Sequence, residues 1–136
     1  MNVKILVCCH KLDIWASDSP YVPIHVGKEL HPELDLKIQE DNAGDSISNK
    51  NDSYCELTGM YWAWKNLRNV DYIGLCHYRR YFDFRTKPFV KKEAVVVSEE
   101  WFRMHSKSLL LNVDTFNFDV VLPMSIPFRM NILERH

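Results

Sequence analysis

The 136-residue sequence holds four glycines and six prolines, and none of the glycine-dense loops that mark common phosphate or hydrolase sites. It has no G-x-x-x-x-G-K-[ST], no G-x-G-x-x-G and no G-x-S-x-G, so P-loop, dinucleotide and nucleophile-elbow readings lack support. It has no C-x-x-C pair among its four cysteines, which argues against a structural zinc site. Positive charge is also missing in bulk. A net charge of −1 excludes a general nucleic-acid binder, although a local basic cluster can still hold a small phosphate ligand. No run approaches the roughly 20 apolar residues that span a bilayer. The apolar start, Val3 to Cys9, is too short for a signal peptide's core. The expectation is a cytoplasmic protein without a transmembrane segment, with peripheral association at the inner membrane face left open.

What is present fits one domain with a real core, residues 1–136, at an ordinary hydrophobic fraction of 46%. Val3 to Cys9 is a continuous apolar, β-branched run, as in a strand covered on both faces. Ile24 to Val26 reads as a short strand, Gly27 as a loop start, and Leu34 to Gln39 alternates in strand fashion. A turn-rich loop, Asp41 to Asn51, leads into a predicted helix over Asp52 to Arg68, with Ser53 and Glu56 as a capping box. Its spacing assigns Tyr61 and Trp64 to the core and leaves Trp62 off the stripe. Tyr72 to Tyr78 is a second buried-type strand; Ala94 to Ser98, a helix from Glu99 to Leu111, and Phe118 to Leu122 follow. Strands alternating with helices and loops imply an α/β fold with a mostly parallel sheet flanked by helices. Cys8, Cys9, Cys55 and Cys76 read as reduced, mostly buried residues, with Cys8 and Cys9 on opposite strand faces. After Pro123 little chain remains to finish such a domain, so it reads as truncated.

Ligands of open α/β sheets gather at the carboxyl ends of the strands. His10 and Lys11 follow the first strand, and His77, Tyr78, Arg79 and Arg80 end the later one. In the polar loop, Asn42, Gly44, Lys50 and Asn51 precede the helix, where free N–H groups can bind an anion. Guanidinium groups at a strand end grip diphosphate oxygens in a forked geometry, which favours Arg79 and Arg80. The competing reading is a surface pair balancing Asp83 and its neighbours. His77 is a hydrogen-bonding or charged partner for phosphate, against a purely structural role; a His10–His77 metal pair is a further alternative. Carboxylates for base chemistry are Asp41, Asp45, Asp83 and Glu56, and spacing selects none of them. Asp45 and His77 are taken as catalytic candidates; no metal ligands are assigned.

Four stretches together carry a resemblance. They are Tyr21-Val-Pro-Ile-His-Val-Gly27, the Asp41-to-Asn51 loop, Tyr54-Cys-Glu-Leu-Thr-Gly-Met-Tyr-Trp-Ala-Trp-Lys-Asn66, and Tyr72-Ile-Gly-Leu-Cys-His-Tyr-Arg-Arg-Tyr-Phe82. With Lys4 to Lys11 and Val120 to Pro123, they resemble a bacterial "domain of unknown function" family of capsular and exopolysaccharide synthesis proteins. The resemblance implies an incomplete nucleotide-diphospho-sugar transferase (GT-A-like) fold. It also implies a nucleotide-sugar donor and a polysaccharide or lipid-linked acceptor. Such enzymes commonly hold a divalent metal with an Asp-x-Asp motif at a strand end, where this sequence has His77-Tyr78-Arg79. The expectation is that positive side chains take the metal's place against the departing diphosphate. Two other functions stay open: a non-catalytic scaffold module of the polysaccharide machinery, and a nucleotide-binding domain unrelated to sugars.

Overall fold

Among the described residues the β-branched and apolar runs pair into one four-stranded sheet. The computed structural model describes residues 2–81 and Glu100. Its strands are β1 (Val3–Cys9), β2 (Tyr21–His25), β3 (Gln39–Glu40) and β4 (Tyr72–His77). All the pairings are parallel, with Cys9 opposite His25 and Cys8 opposite His77. The chain therefore steps outward from β1 to β3, then returns to the other side of β1 for β4. That reversal puts the topological switch point between β1 and β4.

Strand β1 is buried on both faces, as its unbroken apolar run requires. Ile5, Val7 and Cys9 pack with Tyr21, Cys76 and Tyr78 under Ala16 and Leu36. Leu6 and Cys8 pack on the opposite face with Ile24, Val26, Trp62 and Ala63. Each fully buried aliphatic side chain contributes about 1.5–3 kcal/mol, so β1 is the spine of both cores. Cys8 and Cys9 do face opposite sides, and Cys8, Cys9 and Cys76 are buried free thiols while Cys55 is exposed.

Three local expectations are corrected. The helix expected over Asp52 to Arg68 is two helices, α1 (Asn51–Tyr54) and α2 (Leu57–Asn66). Cys55 breaks it at φ 48, ψ −131, because its carbonyl accepts hydrogen bonds from Asn51 Nδ2 (2.7 Å) and the Thr58 N–H (3.2 Å). No side-chain cap forms at either helix, so Ser53 and Glu56 make no capping box. The buried stripe is also different: α2 turns Thr58, Gly59, Trp62 and Ala63 inward. Trp62 is 6% exposed and Trp64 64% exposed, the reverse of the expectation. Small Gly59 and Ala63 let the helix approach the sheet closely, which outweighs the larger aromatic stripe on the other side.

The strand expected over Leu34 to Gln39 shrinks to β3. Lys37 adopts a left-handed φ of 57, and its N–H donates to Asp35 Oδ1 at 2.9 Å, which ends the extended run. Conversely β2 starts at Tyr21 and passes through Pro23. Pro23 would aim its N–H towards β3, but β3 pairs only with Ile24 and His25, so the missing donor costs nothing. Of the helix expected over Glu99 to Leu111 only Glu100 is described, and the elements expected at Ala94 to Ser98 and Phe118 to Leu122 lie outside the described residues, as does Asp83. Among the described residues no helix is long and apolar enough to cross a membrane.

Candidate functional site

The parallel register carries β1 and β4 to a shared carboxyl end, where His10 and His77 emerge side by side. The Tyr78 N–H donates to the Cys8 carbonyl at 3.2 Å and so extends the pairing one residue past β4. The His10 and His77 ring centroids lie 5.7 Å apart, and both rings pack on Tyr78, at 5.4 and 4.2 Å. The Arg79 guanidinium lies 5.0 Å from the Tyr78 ring centre. Tyr78 itself is fully buried in the core, so it is the floor of the cluster and offers no ring to a ligand. Arg80 is exposed, and its N–H closes a tight turn onto the His77 carbonyl at 2.8 Å. Lys11 is exposed beside His10.

Burial lowers the pKa of His77; Glu56 opposes that effect, and His10, Arg79 and Arg80 reinforce it. Burial also lowers His10, reinforced by Lys11 and Arg79 and opposed by Glu56. Both rings are therefore neutral at neutral pH. The Arg79 N–H donates to His77 Nδ1 at 3.3 Å, which puts the proton of the neutral ring on Nε2. His77 thus offers an N–H donor, backed by the cations Lys11, Arg79 and Arg80. The two imidazoles find no third ligand: among the described residues no group of three His, Cys, Asp or Glu side chains is placed to hold a metal.

The Asp41-to-Asn51 loop is built differently. Asp41 is fully buried, and its carboxylate accepts from the Gly27 N–H (2.9 Å), the Lys28 N–H (3.2 Å), Ser48 Oγ (2.5 Å) and Thr58 Oγ1 (2.6 Å). Gly27 sits at φ 74, and a Cβ there would come within 2.7 Å of Asn51 Oδ1, so glycine is required. Successive backbone N–H groups of this kind form an anion nest, and here the protein's own carboxylate fills it. Asp41 is a structural anchor with no capacity left for base chemistry. Asn51 is likewise occupied, its amide donating to the Cys55 carbonyl (2.7 Å) and Thr58 Oγ1 (2.9 Å). Lys50 is exposed and Asn42 half-buried.

The middle of the loop is pinned to the far half of α2. Gly44 (φ 72) lies against the Asn66 side chain, and Trp62 Nε1 donates to the Ala43 carbonyl at 2.7 Å. The Asp45 N–H donates to Asn66 Oδ1 (3.1 Å), and Asn66 Nδ2 donates back to the Asp45 carbonyl (2.8 Å). Asp45 Oδ1 accepts from the Tyr61 hydroxyl at 3.0 Å. By contrast, the start of α2 lies over β1's carboxyl end, where the Cys8 thiol approaches the Glu56 carbonyl at 3.9 Å. A rise of 1.5 Å per residue puts Asn66 about 15 Å further along the helix. The fold therefore gathers His10, His77, Tyr78 and Arg79, flanked by Lys11 and Arg80. Gly44 and Asp45 instead sit with Asn66 at the far end of α2, and Asn51 is bound to Cys55 and Thr58 at its start. Nor is the helix start a free anion site, since the Thr58 and Gly59 N–H groups bond to the Cys55 and Glu56 carbonyls at 3.2 and 3.1 Å.

Two polar residues near the β2 end went unrecognised in the sequence. Lys28 is buried, its ammonium donating to the Pro32 (3.2 Å) and Leu34 (2.7 Å) carbonyls and pairing with Glu40 at 3.1 Å. His25 is fully buried, and neither ring nitrogen has a hydrogen-bond partner among the described residues. A lysine directly after a strand-ending glycine was the available signal for Lys28. His25 carried none, because its flanking residues mark only a strand.

Residues 4–126 match the model of a protein family described as a domain of unknown function, DUF4422. The chain belongs to that family. Among solved structures it is similar to the apo structure of the WbbM bifunctional glycosyltransferase, at 34% identity and a TM-score of 0.66. That match covers 79% of this chain and 20% of the other, so the chain corresponds to about a fifth of that protein's length. No curated protein matches the chain. The family member described here thus has a glycosyltransferase-like α/β fold of the GT-A-like type.

Proposed function

We propose that this chain forms the donor-binding part of a glycosyltransferase of capsular or exopolysaccharide synthesis. The enzyme would move a sugar from a nucleotide-sugar donor to a polysaccharide or lipid-linked acceptor on the cytoplasmic side of the membrane, with residues 1–136 in one domain. The observation that carries the reading is the imidazole and cation cluster at the β1/β4 switch point, in a chain 34% identical to part of a glycosyltransferase. In open parallel sheets that crevice is where nucleotides bind.

The chemistry follows from which charge develops. As the acceptor's hydroxyl oxygen bonds to the anomeric carbon and gives up its proton to water, the carbon's bond to the diphosphate oxygen breaks and the electron pair stays on the diphosphate. His77 Nε2–H donates to a diphosphate oxygen, and Arg79, Arg80 and Lys11 meet the growing negative charge. The guanidinium of Arg79 is the main contact, since its planar fork matches two phosphate oxygens. His77 acts as a donor and not as the acceptor's base, because its Nδ1 is engaged by the Arg79 N–H. Asp45 holds the loop on α2 and takes no part in the diphosphate site.

A thermal-shift panel of UDP-, GDP-, CMP- and dTDP-sugars, each with and without Mg²⁺ or Mn²⁺, tests this. At least one donor class should raise the melting temperature without metal. The stabilisation grows with concentration and reaches about 2.7 kcal/mol at 100 times Kd. No shift with any nucleotide sinks the donor site, and a shift that requires metal sinks the cationic replacement.

A further inference from the structure

We infer that the outer face of α2 is a carbohydrate-binding platform, on which a neutral hexose of a glycan chain stacks on Trp64 and hydrogen-bonds to Asp45. It rests on the glycosyl-transfer reading only for the class of ligand, and Trp64 lies about 10 Å along α2 from the helix start over the carboxyl end of β1.

The platform begins with an anomaly of burial. Tyr54, Leu57, Tyr61 and Trp64 follow helical spacing, the pattern that normally marks a core stripe, yet α2 packs on the sheet through its other side. Among the described residues Trp64, at 64% exposed, is the largest side chain left in water. It is also held in place. Its ring meets Tyr61 edge to face, with centroids 5.7 Å apart and planes at 81°, and Lys65 Nζ sits 3.9 Å from its centre. The ammonium lies over one face of the indole, and the residue as a whole still keeps most of its surface in water.

Beside the ring stands a carboxylate with a preset position. Asn66 clamps the Asp45 backbone on both sides, and the Tyr61 hydroxyl fixes Oδ1, while the side chain stays 56% exposed. Lys65 Nζ lies 3.9 Å from Asp45 Oδ2 and so bridges ring and carboxylate. A flat apolar surface, a strong acceptor and a cationic donor therefore share one small patch. A hexose presents the matching features: a C–H face for the ring and a rim of hydroxyls for the charges. An apolar protein partner would strip water from Asp45 and Lys65 without replacing it, at a desolvation cost. Sugar hydroxyls replace that water group for group. Because ring and carboxylate are already fixed, little conformational entropy is lost on binding. Trp62 is the internal contrast: its ring is buried and its N–H is spent on the Ala43 carbonyl.

The test is an NMR titration of the 136-residue chain with dextran, mannan and cellulose-derived oligosaccharides, following the tryptophan indole N–H signals. At least one saccharide should move the Trp64 signal and leave Trp62 in place. Trp64→Ala should weaken binding about tenfold or more, and Asp45→Asn should weaken it less. Trp64→Ala should keep the wild-type response to nucleotide sugars. The inference is overturned if no saccharide moves the Trp64 signal, or if Trp64→Ala binds as wild type does. It is equally overturned if sedimentation shows self-association that Trp64→Ala abolishes while saccharides leave the signal still, since the face is then a contact between copies. Loss of the nucleotide-sugar response with the saccharide response intact sinks the donor reading alone.

Discussion

The anchor around Asp41 and the edge around His77 are both dense in polar side chains at the carboxyl ends of parallel strands, and they differ in what is left unspent. At Asp41 both carboxylate oxygens are filled by donors from four other residues, and the loop that carries it is tied to α2. At the edge, the side chains of Lys11, Arg79 and Arg80 reach solvent, and His77 keeps an Nε2–H donor. A saturated polar network fixes a fold, and a network with spare donors is free to recognise something. The anion nest shows this most clearly: it has the form of a phosphate site, but Asp41 already occupies it.

The comparison breaks first, if at all, on stability. Asp41→Ala leaves several buried donors without a partner and should cost on the order of 3–5 kcal/mol in denaturant unfolding. Arg79→Ala, at an exposed position, should stay within about 0.5 kcal/mol of wild type. Equal costs for the two variants would erase the distinction between anchor and edge. Close behind comes the pair of tryptophans: Trp62→Ala should lose about 3 kcal/mol, whereas Trp64→Ala should change stability little.

A smaller effect concerns pH. Burial depresses the pKa of His25, and it does the same for His10 and His77. A histidine whose folded pKa lies below its unfolded value of about 6.5 gives full stability above that pH. The contribution is lost as pH falls through the unfolded pKa towards the folded one, because the unfolded chain then binds more protons. Unfolding free energy should therefore be flat just above pH ~6.5 and decline below it, and His77→Asn should remove part of that slope. A pH-independent stability between neutral and mildly acid conditions would contradict the burial of these rings. The smallest perturbation is thiol labelling of the native protein. Burial pushes Cys9 and Cys76 up to about 12 and Cys8 higher still, so a maleimide should modify exposed Cys55 alone until the chain is unfolded.

Much of the sheet was legible because its signals are local. The apolar run of Val3 to Cys9 and the Tyr72-to-His77 segment each reported a strand without outside help. The gathering of His10 with His77 was legible in outline, since carboxyl ends of neighbouring parallel strands must converge. The helix was legible in place but not in orientation. Two stripes share its period, and the choice between them rests on Gly59 and Ala63 being small enough to let α2 settle on the sheet. The role of Asp41 was beyond sequence reasoning, because its donors come from Gly27, Lys28, Ser48 and Thr58, which only tertiary folding brings to one point. For the same reason Asp45 and His77 could both stand as catalytic candidates: each lies in a polar stretch at an element's end, and nothing local reveals that Asn66 holds Asp45 at the far end of α2.

Calorimetric titration of the most stabilising nucleotide sugar into wild type, Arg79→Ala and Asp45→Ala tests the division most directly. Loss of a charged hydrogen-bond donor should weaken Arg79→Ala by about tenfold or more, while Asp45→Ala binds the donor as wild type does. The reverse pattern, with donor binding lost on Asp45→Ala and kept on Arg79→Ala, would contradict a diphosphate site at the β1/β4 edge.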